Sequence, residues 1–234
     1  MYRHPIGFAW LALILVSGAL SNIAAAGTYR GPDLGDQLVD FALHLERSNT
    51  RLRYDGVTYD STVERLGVTL TQSLGPGLDG LLSAGYEDIT QADNPDLAGQ
   101  APNGYYGGIA LRGHLLSSRR FDAAVSVHYS YHRLDTSPAS DQDITLTWHQ
   151  AWAEVVAGVR PSARLRLFAG ARYGVLNGDQ RLSGSVNRTT GFHQDTRTGY
   201  FGGLDVNVDR TGHVGLRVDG GQFRGAEMFF ARRF

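Results

Sequence analysis

The last ten residues, Gly225-Ala-Glu-Met-Phe-Phe-Ala-Arg-Arg-Phe234, carry the pattern that decides the fold. Ala226, Met228, Phe230 and Phe234 share one parity, and Glu227, Ala231 and Arg233 share the other. Side chains of an extended strand point alternately to opposite faces, so this is a β-strand with one apolar and one polar side. The same period of two recurs upstream. Phe121, Ala123, Val125, Val127, Tyr129 and Tyr131 alternate with Asp122, Ala124, Ser126, His128, Ser130 and His132. Leu165, Leu167, Ala169, Ala171, Tyr173 and Val175 alternate with Arg166, Phe168, Gly170, Arg172 and Gly174.

Alternation and turn signals together mark ten strands, at about 38–54, 58–73, 78–88, 104–116, 120–133, 144–160, 163–178, 196–208, 212–220 and 225–234. Proline cannot donate to a strand ladder. All seven prolines fall outside these segments. Connections after even-numbered strands are short, as in Leu74-Gly-Pro-Gly77 and Pro161-Ser162. Three of those after odd-numbered strands, about 89–103, 134–143 and 179–195, are long and polar. The other two are tight, one turning through Asp55-Gly56, a strong hairpin signal.

At the other end, Arg3, an apolar run from Ile6 to about Leu20 and the stretch Ser21-Asn22-Ile23-Ala24-Ala25-Ala26 read as an export signal cleaved after Ala26. Residues 27–37 then form a short lead, and 38–234 the folded domain. No later segment approaches 18 uninterrupted apolar residues, which excludes a membrane helix there. A barrel strand shows lipid only alternate residues, so 42% hydrophobic residues are compatible with insertion. There is no cysteine, hence no disulfide and no thiolate chemistry. A net charge of −1 without a basic run speaks against nucleic acid as a partner.

An export signal with a terminal-aromatic closing strand resembles small bacterial outer-membrane β-barrel proteins. The resemblance implies a closed antiparallel up-and-down transmembrane barrel, of ten strands or of eight if one hairpin is misread. It also implies the outer membrane of a Gram-negative bacterium as its place, and outer-membrane lipid and lipopolysaccharide as neighbours. Phe230 and Phe234 in the C-terminal strand would present the chain to the barrel-assembly machinery. In such a barrel the polar parity must line a narrow interior. Asp40, Glu46, Arg65, Asp79, Glu87, Arg112, Arg166, Arg172, Asp205, Arg217, Asp219 and Glu227 are therefore expected to pair there, because an unpaired buried charge is costly. Arg232 and Glu64 fall on the lipid-facing parity.

The expected role is structural, interactive, or at most the slow passage of small solutes. The alternative is an outer-membrane hydrolase. His128 and Ser130 stand two apart on one face, a spacing that resembles that of outer-membrane lipid A deacylases, with Glu154 or Glu87 as the acid. That family has Asn after the serine where this chain has Tyr131, and parity here turns His128 and Ser130 inward. No metal site or cofactor is expected: His128 and His132 stand about 13 Å apart along their strand, and the sequence holds neither a phosphate loop nor a dinucleotide fingerprint.

Overall fold

The computed structural model describes residues 39–97, 100–136 and 142–234; the expected signal and lead lie outside the described residues. The described chain forms β1 (Val39–Tyr54), β2 (Val57–Gly75), β3 (Leu78–Thr90), β4 (Asn103–Ser117), β5 (Phe121–Asp135) and β6 (Gln142–Val159). These are followed by β7 (Leu165–Gly184), β8 (Arg188–Gln194), β9 (Thr198–Asn207), β10 (Gly212–Gly221) and β11 (Arg224–Arg233). All pairings are antiparallel. The first and last strands meet, from Asp40 opposite Arg233 to Asn49 opposite Arg224, and the Phe234 N–H donates to the Val39 carbonyl at 3.0 Å. Ten strands therefore close a ring, in the order β11-β10-β9-β7-β6-β5-β4-β3-β2-β1.

The eleventh strand, β8, occupies what the sequence suggested was a loop at about 179–195, and β7 runs six residues beyond its expected end at 178. Its effect is a change of barrel size. β7 pairs with β9 along Leu165–Tyr173, then exchanges partners and pairs with β8 along Asn177–Leu182. β1 pairs with β11 as far as Asn49, then with β8 at Leu52, Arg53 and Tyr54. The β10–β11 hairpin thus acts as a wedge that occupies only the inner part of the wall. Beyond its tip the remaining strands, β1 to β8, close a second ring of eight. The wedge tip is sealed by amides: the Gln222 carbonyl accepts from Thr50 Oγ1 and Gln194 Nε2, both at 3.1 Å, and Gln222 Nε2 donates to Gln194 Oε1 at 2.6 Å.

The strands outrun a bilayer. β7 has 20 residues; at about 3.3 Å per residue and a tilt of about 40° it rises about 50 Å, roughly twice the ~25 Å apolar band of such barrels. The sequence pattern changes where the lipid ends. On β1, outward Leu43 and Leu45 give way to outward Arg47, Arg51 and Arg53, while inward Asp40, His44 and Glu46 give way to inward Leu52 and Tyr54. The outer section is thus built like a water-soluble domain. Its interior is a core of Leu52, Val63, Ile89, Leu134, Leu146 and Trp148 with their neighbours, each 3% exposed or less. Leu97, from the segment between β3 and β4, drops into the same core. The inward charges are thus confined to the ten-strand section. A charged exterior leaves the apolar groups of this section to the interior, and an eight-strand barrel is just wide enough for side chains to fill. Glu64, on the lipid-facing parity, stands at the outer end of the ten-strand section and pairs with Arg47 on the neighbouring strand at 3.3 Å.

The turns follow their local chemistry. Asp55 and Gly56 both adopt positive φ, 43° and 89°, as a two-residue hairpin requires. At the opposite rim, Asp209 Oδ1 accepts from the N–H groups of Thr211 and Gly212 at 2.8 and 2.7 Å, which holds its carboxyl below the usual carboxylate range. The β9–β10 turn is therefore tightest above the ordinary aspartate pKa and loosens as pH falls through the depressed value.

Leu134 is fully buried at the centre of the outer core. Leu134→Ala should lower stability by about 2–5 kcal/mol through the cavity it leaves, measured as a fall in the urea midpoint of the detergent-solubilised barrel.

Candidate functional site

The inward parity of the ten-strand section brings both signs of charge into one interior, where they pair in tiers. At the inner rim, Arg233 donates to Asp40 at 2.6 Å, His114 meets Asp79 at 2.7 Å, and Arg166 bridges Asp122 and Asp205 at 2.6 and 2.8 Å. Arg160 adds a contact to Asp122 at 3.1 Å. In the middle tier His44 meets Glu227 at 2.5 Å, and Arg217 reaches Glu154 and Asp219 at 2.9 and 3.1 Å. Arg172 also pairs with Asp219, and the Arg217 guanidinium lies over the Phe201 ring at 3.7 Å. In the upper tier Arg65 joins Glu46 and Glu87 at 3.4 and 2.7 Å. Of the expected charges Arg112 differs: among the described residues it has no ion-pair partner, because Asp79, opposite it on β3, is taken by His114.

The candidate catalytic residues are distributed differently from the expectation. His128 and Ser130 each take another partner: His128 Nε2 lies 2.8 Å from Ser126 Oγ, and Ser130 Oγ lies 2.7 Å from His132 Nε2. Glu154 is held by Arg217. The chain of contacts that the fold does assemble is Ser130, His132 and Glu87, with His132 Nδ1 2.6 Å from Glu87 Oε1. With the imidazole donating to the carboxylate, Nε2 accepts from the serine hydroxyl, the order of nucleophile, base and acid.

Its surroundings oppose that chemistry. His132 is clamped between the rings of Tyr106 and Trp148, at 5.5 and 4.7 Å and nearly parallel to both. Ser130, His132 and Glu87 are 4%, 2% and 0% exposed, and Glu87 is also bound by Arg65. Such burial between stacked rings opposes the approach of a carbonyl group to the serine hydroxyl. Glycines make the clamp possible: a Cβ at Gly67 would stand 1.9 Å from the Tyr106 hydroxyl, and one at Gly85 2.6 Å from its ring.

The sequence reading missed His132, Trp148, Trp152 and Tyr106 as members of this assembly. A signal was present. His128 and His132 are four apart on β5, Trp148 and Trp152 four apart on β6, and antiparallel pairing sets His128 opposite Trp152 and His132 opposite Trp148. Both pairs stack, the His128–Trp152 rings at 4.6 Å and 4°.

On the exterior, Tyr86, Tyr105, Tyr129 and Tyr131 are exposed toward the outer end, Tyr105 most of all at 73%. Phe121 and Phe234 are exposed at the inner rim.

The fold is that of bacterial outer-membrane β-barrels. The outer-membrane protease OmpT of Escherichia coli aligns with a TM-score of 0.51 at 8% identity, covering 89% of this chain and 99% of that one. The β domain of the Bordetella autotransporter BrkA gives 0.48 at 13% identity, over 85% and 100%. The outer-membrane protein OprG of Pseudomonas aeruginosa gives 0.46 at 12% identity, over 84% and 96%. At such identities the likeness is one of fold. No family model matches the sequence, and no curated protein matches it significantly.

Glu87 bonds His132 and is the nearer of the two carboxylates that compensate the Arg65 guanidinium, so Glu87→Ala should destabilise by about 3–5 kcal/mol by leaving that cation with Glu46 alone. Adding Arg65→Met should restore part of that loss, read from the same urea midpoints.

Proposed function

We propose that this chain is a non-conducting integral barrel of the outer membrane of a Gram-negative bacterium, with a structural or interaction role. Its ten-strand section anchors it in lipid, and its eight-strand section holds a rigid polar end above the membrane. The observation that carries this reading is the dry core of Leu134, Leu146, Trp148 and their neighbours, which fills the outer ring above the paired charges. A solute entering from the inner rim meets ion pairs and then a wall of close-packed apolar groups. Desolvating an ion to pass such a wall is costly. Slow passage of small solutes, the wider form of the sequence reading, has less support for that reason.

The hydrolase alternative through His128, Ser130 and Glu154 has less support as well. These residues are bound to other groups, and the serine–histidine–glutamate chain is walled in by rings. That chain is better read as a polar bolt joining β3 to β5 at the base of the outer core.

Two measurements test the proposal. In planar bilayers the purified barrel should show no unitary current steps at moderate voltage; regular steps would overturn the plugged interior. A fluorophosphonate probe should leave the folded protein unlabelled, whereas stoichiometric labelling lost in Ser130→Ala would make it a hydrolase.

A further inference from the structure

Where the exterior of β3, β4 and β5 passes from apolar to charged, the wall has a groove of about 430 Å³, within the ~300–1,000 Å³ usual for small-molecule sites. Register explains it. Ala84, Gly107 and Tyr131 lie side by side across the three strands, so the row has almost no side chain at its centre. One row outward stand Tyr86, Tyr105 and Arg133, and beyond them Asn103 and Asp135. One row inward stand Leu82, Ile109 and Tyr129, of which Leu82 and Ile109 are 57% and 62% exposed. Tyr86 and Tyr105 meet edge to face at 5.7 Å and form one wall, with Tyr131 as the other.

We infer that this groove holds a sugar residue of an outer-leaflet glycolipid, with the lipid's acyl chains running down the apolar rows of Leu82 and Ile109. The inference rests on the barrel lying in a membrane. Three arguments select the occupant. The groove sits at the level where the lipid-facing parity changes from leucine and isoleucine to charge, so its ligand must be amphiphilic at that depth. Its walls are tyrosine rings, which offer an apolar face to the C–H face of a sugar and keep a hydroxyl for water or the ligand. Its rim offers donors and acceptors in balance rather than a cationic cradle: Arg133 is tied to Asp135 at 3.3 Å, and Asp135 also accepts from Thr145 Oγ1 at 2.6 Å. Such a rim suits neutral hydroxyls and disfavours a bare phosphate, which seeks unpaired arginine.

The groove can be filled without disturbing the fold. A Cβ at Gly107 would meet only the Ser83 carbonyl oxygen, at 3.9 Å, so Gly107→Leu places its side chain in the groove itself. The test is native mass spectrometry of the detergent-solubilised barrel with purified rough lipopolysaccharide, with lipid A stripped of its sugar core, and with phosphatidylglycerol. The two glycolipids should be retained about tenfold better than phosphatidylglycerol, since lipid A still carries its glucosamine disaccharide. Gly107→Leu and, separately, Tyr105→Ala should each weaken that retention about fivefold or more, with the thermal unfolding midpoint unchanged. Equal retention of all three lipids, or full retention by Gly107→Leu, would overturn the site and leave only an annular shell. Failure of the barrel to insert into lipid vesicles would instead overturn the membrane reading itself.

Discussion

Everything in this molecule depends on pairing every backbone amide where no water can reach it. In hydrocarbon an unpaired N–H or C=O costs several kcal/mol, and a sheet escapes that cost only if it has no edge. The contact between β1 and β11, ten residue pairs from Asp40–Arg233 to Asn49–Arg224, removes the edge. Once the sheet is closed, side-chain parity becomes a strict sorting device. One parity must face lipid and the other must fill the interior. The ladder of ion pairs from Asp40 to Glu87 follows, because those charges have nowhere else to go.

The second constraint is that the strands are longer than the roughly 25 Å apolar band of such barrels requires. In the outer section the preferred chemistry of the two faces reverses. The chain meets this by exchanging an apolar exterior for Arg47, Arg51 and Arg53 and a charged interior for Leu52 and Tyr54 along a single strand. Barrel width changes at the same region. Charged side chains with their partners occupy the ten-strand section, while the outer section, without the β10–β11 wedge, shrinks to a ring that leucine, isoleucine and tryptophan can fill. Between the two sections the Ser130–His132–Glu87 chain and the Gln222–Gln194–Thr50 amides form the polar boundary of the dry core. Most polar groups there are engaged, as burial next to an apolar core demands, with Gln222 Oε1 left without a partner.

Much of the strand pattern could be read from residue order. The ten ring strands start and stop within a few residues of the expected positions except at the outer end of β7. The candidate site was less legible. His128 and Ser130 stand two apart, which places them on one face; it does not decide which neighbour each will bond. That depends on which way each imidazole leans, and Trp152 and Trp148 on the adjacent strand fix it by stacking. Those tryptophans are some twenty residues away in sequence, and only the register of β5 against β6 makes them neighbours.

Residue order alone marked ten strands, or eight if one hairpin is misread, and the two faces of each, because a period of two is a local property that survives without knowledge of the fold. Only the folded sheet shows that the wall narrows from ten strands to eight, that an apolar core occupies the outer interior, and that serine, histidine and glutamate from β5 and β3 meet in one buried row. Those outcomes turn on which distant strand each edge finds, and the energy of that choice resides in ring closure and core packing, which no stretch of ten residues contains.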